Sequence, residues 1–349
     1  MSSREPPDPD DPIAYYIKHL ERKGSAPRTI SGYENSLSHL QTYISQRDLA
    51  PHEVTVTECI GFIKWAKSQW TDRTVTKYTG SINKFYQFFS NRGTFETNPM
   101  RIALDEVNLS PADNHHRRDV SLEEMREFIC HLRDPQTLAM VVLLAKTGVR
   151  QGEAVNIDLS DLHLSHQRAN EVLPKPRPEI RALPDSLFVS SEISEGDIVN
   201  GDRRDAGNKR HRDTIVPIDD DLKHVLLQQI ATHPPSPDEA EPLFRIAKGT
   251  RTDRLMGQRA TPASFTNRLR TITKEYGWYE RGGGAENNVT AHYFRHWFTT
   301  MARDHGMSRS VVKYIRGDAD RDMVDHYTHN WGNKARKDYL DNIYSLFSE

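Results

Sequence analysis

The residues best suited to chemistry lie late in the chain, where Tyr327 follows Arg295 by 32 positions. His292 and Arg295 are three positions apart, so on a helix they share one face and can converge on one phosphate. Tyr327 stands among polar residues, outside any apolar stripe. An exposed tyrosine suits a nucleophile, although a structural tyrosine is the alternative. Together these residues predict attack on a phosphodiester without a metal.

Such a reaction also needs cations on the non-bridging oxygens and an acid for the leaving oxygen. Arg150 is a candidate because a planar guanidinium matches two phosphate oxygens. Glu153 could hold it by a charge-assisted hydrogen bond, but an Arg and a Glu at this spacing also form ordinary surface ion pairs. Lys209 lies in a basic run, at the predicted turn of a hairpin. There it could protonate a departing alkoxide or only neutralise phosphate.

Amphipathic helices occupy the first part of the chain. Apolar residues recur at helical spacing from residue 12 to about 93 in four stripes, which predicts a compact bundle. Asn98-Pro99 is expected to end it. We therefore expect a disordered leader at 1–11, a helical domain at 12–105 and an interdomain linker at 106–118.

The rest of the chain, 119–349, is predicted to be a mixed α/β but mostly helical domain, which makes the fold mainly α. A capping box at Ser121 to Glu124 begins it. The Pro-rich, polar stretch 165–205 is expected to be a surface insertion. The last helix, predicted at 334–347, could pack on its own chain or on a neighbouring protomer.

Charge and cysteine content narrow the function classes. The net charge of −2 argues mildly against a DNA partner, but residues 202–212 hold five Lys or Arg in eleven positions. The predicted DNA contacts in this run are Arg203, Arg204, Arg210 and Arg212. Cys59 and Cys130 are predicted to be buried free thiols, which fits a reducing compartment. No metal site is expected from cysteine spacing, and no apolar run is long enough to span a membrane.

The order Arg, Lys, His-x-x-Arg, Tyr behind a helical bundle resembles the tyrosine recombinase (phage integrase) family, especially its simple Xer-like members. Thr147-Gly-Val-Arg150-x-x-Glu153 matches the first arginine box, and Thr290-x-His292-x-x-Arg295-His296 the second. Tyr327-Thr-His329 matches the nucleophile box, and Lys209 stands at the usual distance before a Val-Pro strand. The resemblance extends from about residue 12 to 349.

The resemblance implies that residues 12–105 are a SAM-like core DNA-binding domain and that 119–349 are a catalytic domain, which cuts and rejoins DNA through a 3′-phosphotyrosyl bond. Tyr327 would be the nucleophile, Arg150 and Arg295 the phosphate clamps, Lys209 the acid and His292 the proton-transfer partner. Neither cofactor, metal nor ATP is expected. The partners would be double-stranded DNA with a specific recombination site and further copies of the chain, as a tetramer in the cytoplasm, associated with the nucleoid.

One position departs from the family pattern: Asp318 follows Gly317 where the family has His or Trp. An ionised Asp only accepts hydrogen bonds and would repel a phosphate. Either Asp318 points elsewhere, or the enzyme is weakened, or another donor replaces the missing one, namely Arg316, Arg321 or His326. A DNA-binding protein that no longer catalyses and a DNA-relaxing type IB topoisomerase are the alternative functions.

Overall fold

The structure is a computed structural model that describes residues 11–107, 109, 117–236, 239–247, 256–319 and 331–347, without the side chains of 331 and 332. Most of the predicted leader and linker lies outside the described residues, as do Arg321, His326 and Tyr327. The chain divides into two compact units, residues 1–115 and 116–349. Both are rich in helices, so the mainly α fold predicted from the sequence is confirmed.

Unit 1 is a helical bundle with an aromatic core. Its helices are α1 (Pro12–Arg22), α2 (Pro27–Ser45), α3 (Val56–Gln69), α4 (Asp72–Ser90) and α5 (Pro99–Val107). Asp11 caps α1 by accepting a hydrogen bond from the Ala14 N–H (3.0 Å), and Pro12 occupies the first turn, where its missing N–H costs nothing. Phe62, Phe85 and Phe89 lie in the centre of the bundle.

The end predicted for this bundle is wrong. Asn98 and Pro99 begin α5 instead of closing the bundle. The Asn98 side chain accepts a hydrogen bond from the Arg101 N–H (3.1 Å), and proline is well tolerated in a first turn. An Asn-Pro pair can therefore start a helix as well as interrupt one. Met100 and Ala103 on α5 are fully buried in the same core.

Unit 2 is mostly helical with a small sheet. Its helices are α6 (Leu122–Cys130), α7 (Pro135–Thr147), α8 (Gln151–Asn156), α9 (Gln167–Val172), α10 (Asp220–Ala231), α11 (Pro262–Glu275), α12 (Ala291–Asp304), α13 (Arg309–Arg316) and α14 (Trp331–Asn342). The strands are β1 (Leu162–His163), β2 (Ser186–Val189), β3 (Ile198–Val199), β4 (Asp202–Arg203) and β5 (Thr214–Pro217). α7 is buried along its length and packs against α10 and α12.

The stretch 165–205 is not a surface insertion throughout. Its β2 strand is the central strand of the antiparallel sheet β1-β2-β5, and all four β2 residues are buried. Leu187 pairs with Leu162 on one side and Val216 on the other. A short apolar run of this kind is typical of a buried strand. Other parts of the stretch do fit the expectation, among them Val172 at the end of α9, which is 74% exposed, and Ile198 at the start of the β3–β4 hairpin, which is 76% exposed.

The C-terminal segment packs on its own chain. α14 ends at Asn342, and Tyr339, Tyr344 and Leu346 are buried in the core of unit 2. The Tyr339 hydroxyl donates to the carbonyl of Lys146 (3.1 Å). The buried Lys146 ammonium lies 2.6 Å from Asp219 and 2.7 Å from Asp221. Of the two arrangements left open by the sequence, the structure has the one in cis.

One of the two cysteine predictions is wrong. Cys59 is buried in the bundle, but Cys130, the last residue of α6, is exposed. The apolar spacing of a short amphipathic helix does not reveal how far its last turn projects from the core.

Candidate active site

Arg150 is held at the junction of α7 and α8. Gly148 ends α7 in the left-handed conformation (φ 58°), which glycine adopts without strain, and Arg150 follows as the residue before α8. Its main-chain N–H donates to Glu153 Oε2 (2.9 Å) and its Nη1 to Glu153 Oε1 (3.0 Å). Glu153 is 1% exposed. A buried carboxylate thus holds both the main chain and the guanidinium of Arg150.

Arg295, on α12, approaches the same place from a different helix. It is 2% exposed, and it donates to the carbonyl oxygens of Gly148 (2.6 Å) and Arg316 (2.9 Å). Burial, and next the positive charge of Arg150, lower the pKa of Arg295 to about 10. The Arg295 guanidinium therefore keeps its proton at neutral pH, and backbone oxygens hold it close to the like charge of Arg150.

Asp318 points into this pair of arginines, so the alternative that it points elsewhere is wrong. Gly317 ends α13 with φ 66°, and the Asp318 N–H donates back to the Lys313 carbonyl (3.1 Å). Asp318 Oδ1 lies 3.4 Å from Arg150 Nη2 and also accepts a hydrogen bond from Arg295 Nη2. Its carboxylate therefore bridges the two arginines.

Arg316 is a third cation on the same carboxylate. Its Nε lies 3.1 Å from Asp318 Oδ2, and its Nη1 donates to Thr299 Oγ1 (2.8 Å). The sequence pointed to Arg316 only as one of three replacements for a missing donor. The sequence did hold a signal for it: Arg316 directly precedes Gly317. A side chain in the last turn of a helix lies close to the residues that follow that turn, here Asp318.

His292 lies on the exposed side of α12. Its Nε2 is 2.9 Å from Nε2 of His296, so one ring donates to the other. Burial, followed by the positive charges of Arg117 and Arg295, lowers the pKa of His292. A neutral imidazole at physiological pH can accept a proton.

Lys209 is exposed in the connection from β2 to β5. Its two neighbours are buried and fix the backbone there. Asn208 accepts a hydrogen bond from Asn156 (2.8 Å), and Arg210 lies 3.3 Å from Glu153 Oε2 and donates to the Ile315 carbonyl (3.0 Å). Because side chains alternate along an extended segment, Lys209 points to the opposite, solvent side. Arg210 connects this segment to the first arginine box.

The four arginines predicted to contact DNA differ in exposure. Arg203 is exposed on β4, and Arg212 is half-buried with its guanidinium 5.3 Å from the ring of Tyr314. For Arg204 and Arg210 the structure contradicts the prediction, because both are buried. Arg204 is 1% exposed and lies 2.7 Å from Asp158. A run of charge in the sequence does not show which members find a distant carboxylate.

Tyr327, the predicted nucleophile, lies outside the described residues. Among the residues that are described, no three His, Cys, Asp or Glu side chains group in a way that would hold a metal ion. Within the same residues, no helix has the length and apolar character needed to cross a membrane.

The fold and the site together define a class of protein. A helical bundle precedes a mostly helical domain in which arginines from separate helices converge on one anion, as expected of a protein that handles phosphodiesters. Residues 120–333 match the phage integrase family, and residues 13–93 match the N-terminal SAM-like domain of phage integrases. The chain belongs to the phage integrase family of tyrosine recombinases.

Similar proteins agree with this assignment. Tyrosine recombinase XerD of Oceanobacillus iheyensis is 24% identical over 90% of this chain and 91% of its own length. XerD of Listeria innocua is 24% identical over 94% of this chain and 95% of its own length. Among solved structures, the Tn1549 transposon integrase bound to transposon right-end DNA has a TM-score of 0.66 at 16% identity, covering 94% of this chain and 98% of that one. The structure of a lambda integrase dimer bound to a core site has a TM-score of 0.61 at 13% identity, covering 90% of this chain and 96% of that one. At such identities these structures show a shared fold.

Proposed function

We propose that this protein is a site-specific DNA recombinase that cuts and rejoins DNA through Tyr327. The observation that carries the proposal is the convergence of Arg150 and Arg295 on a single carboxylate. A phosphodiester also presents paired anionic oxygens, and planar guanidinium groups suit such oxygens. The family's nucleophile position coincides with Tyr327 in this sequence.

In the proposed reaction the Tyr327 oxygen attacks the scissile phosphorus and the bond to the 5′ oxygen breaks. The tyrosine proton passes to the neutral His292, and the leaving 5′ oxygen takes a proton from Lys209. Arg150 and Arg295 hold the non-bridging oxygens, where negative charge is stabilised most as it develops. The bond energy stays in the 3′-phosphotyrosyl linkage, so attack by the 5′-hydroxyl of a partner strand rejoins DNA without ATP.

The position and the exposure of Lys209 support its assignment as the acid. It is the only lysine between Lys175 and Lys223, so in this sequence no other lysine lies on the connection from β2 to β5. The exposed position of its side chain, beside the buried Arg210, leaves it open to a DNA strand.

The proposed partners are double-stranded DNA carrying a specific site and three further copies of the chain, because exchange of two strand pairs needs four nucleophiles. A lambda integrase structure contains a tetramer on a Holliday junction. The helical bundle is proposed to add DNA contacts to those of unit 2, and Arg203 and Arg212 to neutralise nearby phosphates. We place this reaction in the cytoplasm, on the nucleoid.

The test is covalent capture on a pool of nicked duplexes with randomised central sequence. The purified full-length protein is incubated with the labelled pool in EDTA, and adducts are separated on a denaturing gel. We expect an adduct that persists in EDTA and disappears in Tyr327→Phe. Tyr279→Phe is the matched control, a half-buried tyrosine of unit 2, and should keep the adduct. If wild type forms no adduct, or if Tyr327→Phe forms one, the proposal is wrong.

A further inference from the structure

One carboxylate is surrounded by three guanidinium groups. Asp318 contacts Arg150, Arg295 and Arg316, each through a different helix or helix end. Counting Arg210 and Glu153 beside them, four cations face two carboxylates. The site therefore keeps an excess of positive charge even with Asp318 in place, which favours the approach of an anion.

This arrangement differs from a structural ion network in the same unit. There Asp158 pairs with Arg204 and Arg259, and the side chains of all three are at most 3% exposed. In the site, by contrast, the side chains of Asp318 and Arg150 are 24% and 31% exposed. An anion from solvent can reach the site without unfolding of the domain.

Each of the three arginines also has contacts that do not involve Asp318. Arg295 is held by two carbonyl oxygens, Arg150 by Glu153, and Arg316 by Thr299. The groups turned toward Asp318 are Arg150 Nη2, Arg316 Nε and Arg295 Nη2, and the last of these also donates to the Arg316 carbonyl. An anion that replaces Asp318 would meet the same three groups. Asp318 itself follows the end of α13, so rotation of its side chain breaks no helical hydrogen bond.

We propose that Arg150, Arg295 and Arg316 form one three-arginine anion site, and that Asp318 occupies it as an internal substitute for phosphate. The scissile phosphate enters by displacing Asp318, and Arg316 then becomes its third ligand. Asp318 thus sets a threshold: only DNA held by enough other contacts replaces the carboxylate. This inference rests on the proposed function, which supplies the phosphate.

Binding of inorganic phosphate tests the site separately from catalysis. Titration calorimetry on the full-length protein compares wild type with Asp318→Asn, which keeps the size but removes the competing charge. Because a neutral amide competes far less than a carboxylate for the three guanidinium groups, we expect phosphate to bind at least about tenfold more tightly to the variant. Asp220→Asn, on an exposed residue paired with Lys223, is the matched control and should bind as wild type does.

Two further variants complete the design. Asp318→Ala should gain affinity in the same direction, which covers the case that Asp318→Asn folds poorly. Asp318→Asn combined with Arg316→Gln should lose most of the gain, since the third ligand is gone. Equal phosphate affinity in wild type and both Asp318 variants would overturn the inference, and so would a gain that survives Arg316→Gln.

The covalent capture assay separates this inference from the proposed function. Adduct formation by wild type without any phosphate gain in the Asp318 variants refutes the internal substitute and leaves the recombinase standing. A phosphate gain without an adduct from any variant supports the anion site and refutes the recombinase. If both hold, Asp318→Asn should also form adduct at lower DNA concentration than wild type.

Discussion

Glu153 offers the sharpest test of how the first arginine box is built. Its side chain and that of Arg210 are both fully buried, with Arg210 Nη2 3.3 Å from Glu153 Oε2. Burial lowers the pKa of Arg210, and Glu153 opposes that effect. Glu153→Gln keeps the shape and removes the charge. Arg210 then remains a buried cation whose described polar contact is the neutral Ile315 carbonyl.

The expected cost is large because a buried charge would lose its counter-ion. Removing one partner of a buried ion pair typically costs about 3–5 kcal/mol. For a domain of this size, each kcal/mol lowers the melting temperature by roughly 2–4 °C, so Glu153→Gln should melt at least about 6 °C below wild type. The lost bond to Arg150 adds little, since that side chain is 31% exposed and solvent screens it.

Scanning calorimetry of the full-length chain measures this loss. The control is Glu123→Gln, whose side chain is 75% exposed and whose carboxylate lies 4.0 Å from Arg126; it should cost less than about 1 kcal/mol. Combining Glu153→Gln with Arg210→Met should cost clearly less than the two single changes added together, because no uncompensated cation remains. Similar small losses for Glu153→Gln and the control, or strict additivity in the double variant, would refute the reasoning.

Three further outcomes are expected. Gly148→Ala should lower the free energy of unfolding by more than about 1 kcal/mol, because φ is 58° and the added Cβ would lie 2.6 Å from the Phe298 ring; denaturant titration measures this loss. Burial lowers the pKa of His233 from 6.5 to about 4, so between these two pH values the unfolded chain binds more protons than the folded one. Lowering the pH from 6.5 to 4 should therefore decrease the free energy of unfolding by up to about 3 kcal/mol. His233→Gln should remove most of that fall, as denaturation midpoints at pH 5 and pH 7 will show. A thiol reagent should modify Cys130 rapidly and Cys59 only after denaturation, since burial raises the pKa of Cys59 to about 12; two fast thiols in the folded protein would contradict this.

Features set by local spacing were predictable. Asp11 with Pro12, and Ser121 with Glu124, form the helix starts expected of them, because capping involves residues only three positions apart. The mainly α fold follows from apolar periodicity in the same way. The prediction made from Asn98-Pro99 was wrong because an Asn-Pro pair can either end or begin a helix. Only the packing of α5 on the core decides between the two.

The burial of charged residues could not be predicted. Arg204 and Arg210 belong to one basic run, yet their carboxylates come from Asp158 and Glu153, far away in the sequence. The exposed Lys209 lies directly beside Arg210. Which of two adjacent cations faces solvent depends on the path of the backbone between β2 and β5, and the sequence holds no local signal for it.

The sequence by itself determined the helical class of this protein and the residue types of its phosphate chemistry, because helix geometry and box spacing act over a few positions. Only the tertiary structure decided what those residues meet. Asp318 and Arg150 are 168 positions apart, yet they form one ion pair with Arg295 and Arg316 around it. Such contacts arise when separate helices pack on a shared core, and that packing turns an apparent gap in the family pattern into an occupied anion site.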